Sequence, residues 1–89
     1  IDGIAMYYDD FGNVINKVSY VNDKFHGEWI DYFSNGKISH IISYEYGRKS
    51  GLEVWYYESG EKKSEALYRN GKLISDLIRW NKNGDIIYK

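Results

Sequence analysis

Short runs of alternating apolar and polar residues follow one another along the chain. Ile30 and Tyr32 stand two positions apart in one run, and Ile42 and Tyr44 do so in the next. Because successive side chains of a β-strand point to opposite faces, this spacing is typical of strands with one apolar face. The runs are about six or about eight residues long and end at glycines, which is ordinary for strands. The pattern predicts strands throughout and requires no helix.

The pattern repeats every 24 residues, and this period predicts the domain organisation. The columns that keep it are Gly12, Gly36, Gly60 and Gly84; Gly3, Gly27 and Gly51; and Tyr20, Tyr44 and Tyr68. Each unit contains two runs and two turns, so we interpret it as one β-hairpin, in units 3–26, 27–50, 51–74 and an incomplete 75–89. The sequence predicts one all-β domain, residues 1–89: a single, elongated antiparallel meander of repeated 24-residue β-hairpins.

Three Asn-Gly pairs are strong hairpin signals. Asn35-Gly36, Asn70-Gly71 and Asn83-Gly84 each lie between two apolar runs. Asparagine and glycine both tolerate a positive φ, which tight primed turns require at their two central residues. We therefore expect a primed turn at each pair.

Four columns of the repeat stay apolar or aromatic, and we predict that they share one core face. They are Met6, Ile30, Val54 and Ile78; Tyr8, Tyr32, Tyr56 and Trp80; Val18, Ile42 and Ala66; and Tyr20, Tyr44 and Tyr68. The remaining columns are mixed: Ala5, Trp29, Glu53 and Leu77 share one, and Tyr7, Asp31, Trp55 and Arg79 share another. The second face is therefore predicted to be the one free for function.

Composition supports strands and excludes several functions. The chain has 10 Tyr, 3 Trp and 3 Phe and lacks proline, which suits a sheet. It lacks cysteine, so disulfides and thiolate zinc sites are excluded. The 12 basic and 13 acidic residues are spread along the chain and give a net charge of −1, which argues against nucleic acid and against anionic membranes as partners.

Catalytic and metal-binding patterns are weak. The two histidines, His26 and His40, have no ligand-type spacing, and we expect both to be isolated, solvated side chains. Glu58, Glu61 and Glu65 lie among lysines, which favours an exposed strand with ion pairs over acid–base chemistry. The sequence predicts neither an enzyme nor a cofactor.

The candidate site is the mixed face. Its predicted members are Trp29, Asp31, Phe33, Trp55 and Tyr57. Three uses stay open for these aromatics: they cover one another as a second small core, they form a hot spot for a protein partner, or they stack on a small ligand.

The segments "GEWIDYFSNGK" and "GLEVWYYESGE" resemble the MORN repeat, and more closely its bacterial variant. The resemblance implies a single-layered sheet of stacked hairpins and a role in scaffolding or protein–protein contact, with membrane binding proposed for some members. Many bacterial relatives are described as antitoxins, which would place this chain in the cytoplasm. "WYY" before a glycine is also similar to choline- and carbohydrate-binding repeats of cell surfaces, which would place it in the cell envelope or outside the cell; the compartment stays open.

The ends of the array favour association. Ile86 and Tyr88 are predicted on a terminal strand with unpaired backbone groups, which invites pairing with another chain. The partners expected from the sequence are therefore a protein, such as a toxin, or a second copy joined through edge strands.

Overall fold

A computed structural model describes residues 3–87, and these residues form one antiparallel β-sheet without any helix. None of them therefore belongs to a helix that could cross a membrane. The strands are β1 (Gly3–Tyr8), β2 (Val14–Val21), β3 (Lys24–Tyr32), β4 (Ile38–Glu45), β5 (Arg48–Lys49), β6 (Gly51–Tyr56), β7 (Lys62–Arg69), β8 (Lys72–Leu73) and β9 (Ile78–Arg79).

The strands pair in chain order as a meander. The main path is β1-β2-β3-β4-β6-β7-β8, with β5 beside β4 and β9 beside β7. The sheet measures 42 × 36 × 12 Å, so it is a single layer; a second sheet would add about 10 Å of thickness. The all-β hairpin meander predicted from the sequence is confirmed.

Two kinds of turn alternate along the chain. The two-residue turns have a positive φ at both positions, as at Asn70 (51°) and Gly71 (80°), and the same geometry recurs at 22–23 and 46–47. These turns are of the primed kind, whose twist matches that of the flanking strands. The primed turn predicted at Asn70-Gly71 is confirmed.

The other turns have three residues and lie along the opposite ends of the strands. In the second of them the Phe33 carbonyl accepts from Gly36 N at 2.9 Å, and Phe33 N donates to the Lys37 carbonyl at 2.7 Å. The same bonds recur at 9–13, 57–61 and 81–85. The primed turns predicted at Asn35-Gly36 and Asn83-Gly84 are wrong, because only the glycine takes a positive φ. Asn35 instead uses its side-chain oxygen to accept from Lys37 N at 2.9 Å.

The strand register corrects the predicted faces. Trp29 lies directly opposite both Val18 and Ile42, and Glu53 lies opposite Ala66. Directly opposed residues of antiparallel strands share a face. The prediction that Val18, Ile42 and Ala66 share a face with the Ile30 column is therefore wrong, because spacing within a strand does not set the register between strands.

We call the face that carries Trp29 and Trp55 the tryptophan face, and the face that carries Ile30 and Val54 the isoleucine face. Most of the buried side chains lie on the tryptophan face: Val18, His40, Ile42, Glu53, Ser64 and Ala66. Ile30 and Val54 are buried on the isoleucine face. The core of this single layer is thus on the tryptophan face, beside the residues predicted to be functional.

The two edges of the sheet differ, because one is a full strand and the other ends in a single bridge. Within residues 3–87, β1 pairs with β2 alone. At the other end an isolated antiparallel bridge joins Trp80 to Ile86, a residue that the sequence predicts on the terminal strand of the fourth unit. Tyr88, predicted on that same strand, lies outside the described residues.

Candidate functional site

A row of polar and aromatic side chains crosses the tryptophan face from strand to strand. Its successive members, each opposite the next, are Tyr7, Asn16, Asp31, His40, Trp55, Ser64 and Arg79. Opposed side chains on one face lie close enough to interact. The meander therefore brings together residues that are far apart along the chain.

The centre of the row is a charged network around His40, in which His40 and Glu53 are buried and Asp31 and Lys49 are partly exposed. Its Nδ1 lies 2.9 Å from Oδ2 of Asp31, and its Nε2 lies 2.6 Å from Oε2 of Glu53. Lys49 Nζ adds contacts of 3.3 Å to both oxygens of Glu53. A neutral imidazole has a single N–H, so both histidine contacts are hydrogen bonds only with a second proton on the ring or on a carboxyl group. Both nitrogens of the ring are thereby occupied.

Trp55 lies directly on this network. Its ring stacks on His40 with centroids 3.8 Å apart and an interplanar angle of 22°. The residue remains 45% exposed, whereas His40 is 7% and Glu53 6% exposed. The indole of Trp55 is thus supported from below by a buried side chain that is itself held by two carboxylates.

Trp29 has a different environment, in a cluster of aromatic rings. Phe25 is at its centre, 4.9 Å from Trp29 and 5.4 Å from both Tyr20 and Tyr44 between ring centroids. Trp29 Nε1 donates to Oδ1 of Asp31 at 3.0 Å, which joins the cluster to the charged network. A hydrogen bond with Tyr7 raises the pKa of Tyr20 at the margin of the cluster. Of the three uses left open by the sequence, mutual packing describes Trp29.

Phe33 and Tyr57 lie apart from the network, in a groove of about 440 Å³ beside the three-residue turns. The Tyr57 hydroxyl donates to the Trp80 carbonyl at 2.7 Å, and Lys63 Nζ lies 5.8 Å from the centre of the Tyr57 ring. Lys82 lines the same groove. The five residues predicted as one site therefore divide into the network with its aromatic neighbours and this groove.

The prediction that His40 is solvated is wrong. The signal that could have found its partners is the register, which places His40 between Asp31 and Trp55. Glu53 gave a second signal, as a charged residue in a column otherwise occupied by Ala5, Trp29 and Leu77. Because the two carboxylates contact opposite nitrogens, they do not converge on one point. Across residues 3–87 no group of three or more His, Cys, Asp or Glu side chains could hold a metal ion.

The fold and this surface define a β-hairpin repeat module. The family model of the MORN repeat variant matches residues 1–22, 25–46 and 49–70, with starts 24 residues apart. The matches cover more than half of the chain, which therefore belongs to the MORN repeat variant family. MORN repeats are in general modules of protein and membrane interaction. No curated protein and no solved structure matches the chain.

The matched repeats show how the site is assembled. Asp31 and His40 belong to the second matched segment, whereas Glu53 and Trp55 belong to the third. The charged network is therefore a contact between neighbouring repeats, and the position of Trp55 depends on both.

Proposed function

We propose that this chain is a non-enzymatic repeat module that docks a protein partner through the tryptophan face, with Trp55 at the centre of the contact. The observation that carries the proposal is the exposed indole of Trp55 stacked on a buried, doubly bound His40. Tryptophan is enriched among residues that dominate binding energy, and a side chain already fixed in place loses little freedom on binding.

The same network argues against acid–base catalysis. His40 is the buried histidine of the face, and each of its ring nitrogens lies within hydrogen-bond distance of a carboxylate. A general base needs a nitrogen that can reach the substrate's proton. The network is thus suited to holding Trp55 and unsuited to proton transfer.

The finer role that we propose is that of an antitoxin-type or scaffolding protein in a bacterium. Its support is the resemblance of the segments "GEWIDYFSNGK" and "GLEVWYYESGE" to the bacterial form of the MORN repeat. If the partner is a toxin, co-expression of this chain with the partner should restore growth, and co-expression of a Trp55→Ala variant should not.

Affinity capture tests the docking surface. The immobilised wild-type domain is compared with Trp55→Ala and with Tyr8→Ala. Tyr8→Ala is a matched control, because Tyr8 is an exposed aromatic residue (56%) and is not a member of the row that crosses the tryptophan face. We expect one partner that is retained by the wild type and by Tyr8→Ala and lost by Trp55→Ala. Retention of the partner by Trp55→Ala would contradict the proposal. Binding to cell-wall polysaccharide or choline without a protein would favour the ligand-binding alternative.

A second partner supported by a specific observation is another copy of the chain. Within residues 3–87, the outer backbone groups of β1 have no strand beside them, and Ile4 on β1 is exposed. An exposed apolar edge strand is a template for pairing with another chain, and a lysine on it prevents such pairing. Light scattering should show a dimer or larger species for the wild type and a monomer for Ile4→Lys; a monomeric wild type at high concentration would contradict edge pairing.

A further inference from the structure

The groove beside the three-residue turns has walls that are fixed by hydrogen bonds. Asn35 Nδ2 donates to the Glu58 carbonyl at 3.1 Å, and Lys37 Nζ donates to the Ser59 carbonyl at 3.1 Å, so the second and third turns are tied together. The Tyr57 hydroxyl binds the Trp80 carbonyl and ties the third turn to the fourth unit. The volume of the groove, about 440 Å³, is within the usual range of ligand pockets, roughly 300–1,000 Å³.

The charge of the groove differs from that of the chain as a whole. Its lining contains Lys63 and Lys82 and one acidic residue, Glu58, in a chain with a net charge of −1. Among residues 3–87, neither of these lysines forms an ion pair. The adjacent Lys62 differs, because it binds Glu65 at 2.8 Å and this hydrogen bond raises the pKa of Lys62. Two cationic groups that have no carboxylate partner in the described part of the chain thus line the groove together with aromatic side chains.

We infer that this groove receives an acidic segment of a protein partner, with a bulky apolar side chain against Phe33 and Tyr57 and carboxylates at Lys63 and Lys82. The inference rests on the proposed function and specifies the chemistry of the partner. A peptide fits better than a membrane surface, because the cationic groups line a groove beside the three-residue turns and share it with aromatic side chains. Carboxylates gain charge-assisted hydrogen bonds from the lysines, and the apolar side chain gains burial between two rings.

The first test uses short peptides as probes. A pentapeptide of sequence EEFEE is titrated into the labelled domain, and amide chemical shifts around the groove are followed by NMR. The matched probes are KKFKK, which reverses the charge, and EEGEE, which removes the apolar side chain. We expect groove-specific shifts with EEFEE that weaken several-fold as ionic strength rises from about 0.05 M to about 0.5 M. Equal responses to EEFEE and EEGEE, or to EEFEE and KKFKK, would overturn the inference, as would the absence of shifts at millimolar peptide.

The second test reverses the charge of the groove. Lys63→Glu/Lys82→Glu is compared with Lys24→Glu/Lys72→Glu. The second variant changes the net charge by the same amount, but beside the two-residue turns at the opposite ends of the strands. The dissociation constant for EEFEE should rise at least about tenfold in the first variant and change little in the second. Equal effects in both variants would show a general response to net charge and overturn the inference. Vesicles containing phosphatidylglycerol that bind the wild type and fail to bind the groove variant would also overturn it, in favour of an anionic lipid surface.

Capture experiments separate this inference from the proposed function. A partner that is lost by Trp55→Ala and retained by Lys63→Glu/Lys82→Glu would leave the tryptophan face as the docking surface and contradict the groove alone. A partner lost by the groove variant and retained by Trp55→Ala would support the groove and contradict the contact centred on Trp55. Loss with both variants, and retention with Tyr8→Ala, would support both.

Discussion

Two regions of the tryptophan face occupy equivalent positions of the 24-residue repeat with opposite chemistry. The aromatic cluster has Phe25 and Trp29 where the charged network has Lys49 and Glu53. In the cluster the rings meet at tilted and edge-to-face angles, such as 77° between Phe25 and Trp29. In the network the same strand positions hold opposite charges around His40.

This difference shows that the hairpin backbone fixes where the side chains lie, whereas either aromatic or charged residues can occupy those places. The condition is that the side chains of each cluster pack against or pair with one another. Aromatic pairs gain free energy from burial and ring geometry. Buried charges cost free energy unless each is paired, so the network is stable as a complete set and costly when one member is removed. The two regions should therefore respond differently to truncation.

The largest effect is expected from truncation of the network. Glu53→Ala leaves the charge of Lys49 and one nitrogen of the buried His40 without a carboxylate, and we expect the free energy of unfolding to fall by about 3 kcal/mol. Urea denaturation followed by circular dichroism measures this loss. Glu53→Gln is the matched control, because it keeps the shape and an acceptor and should cost less. A loss below about 1 kcal/mol for Glu53→Ala would show that the pairing contributes little net stability.

The aromatic cluster should show a smaller loss that comes mainly from packing, because Trp29 also donates one hydrogen bond to Asp31. Trp29 is half-buried against Phe25 and Tyr44, so Trp29→Ala should lower the free energy of unfolding by about 2 kcal/mol, less than for a fully buried ring. Trp55→Ala is the control, because this ring is 45% exposed and should cost about 1 kcal/mol or less. If urea denaturation gave equal losses of unfolding free energy for the two variants, Trp29 would not differ from Trp55 as a packed ring differs from an exposed one.

The turn between the two regions offers a gain in stability. Tyr46 has a φ of 48° and is 61% exposed, whereas the equivalent position of the next unit is Asn70 with a φ of 51°. Asparagine tolerates this left-handed conformation better than a bulky residue does. Tyr46→Asn should raise the free energy of unfolding by about 0.5 kcal/mol, in spite of the lost ring contact with His26.

The reciprocal change provides the control for this gain. Asn70→Tyr should lower the stability by a similar amount, and thermal unfolding of the two variants measures both effects. If both substitutions shifted the melting temperature in the same direction, backbone strain at these turns would not be the cause.

These contrasts also show which parts of the fold and of the site could be predicted from the sequence. The period of 24 residues and the glycine columns were sufficient for the hairpin meander, since turns and alternation are local properties of the chain. The network was not predictable in the same way, because Asp31, His40 and Glu53 lie on three different strands and meet only through the register. Phe33 and Tyr57 were predicted on one face with Trp29 and Trp55, whereas the structure places them in a groove that depends on contacts between turns 24 residues apart.

The smallest effect extends the comparison to the outermost three-residue turns, where Asp9 and Asn81 are equivalent. Oδ1 of Asp9 accepts from the backbone N–H groups of Phe11 and Asn13, and Oδ1 of Asn81 accepts from those of Asn83 and Asp85. The hydrogen bond from Asn13 is the main cause that holds the pKa of Asp9 below its ordinary value of 3.8.

A lowered folded-state pKa means that the contribution of Asp9 to stability is fully present above pH 3.8 and is lost as the pH falls through the lowered value. Asp9→Asn should keep both hydrogen bonds, as Asn81 does, and remove this loss. The melting temperature, measured between about pH 5 and pH 2, should therefore fall less steeply for Asp9→Asn than for the wild type, and more steeply for Asn81→Asp. Parallel profiles for all three proteins would mean that the charge of Asp9 adds nothing to the hydrogen bonds, and that the two turns are equivalent in energy as well as in geometry.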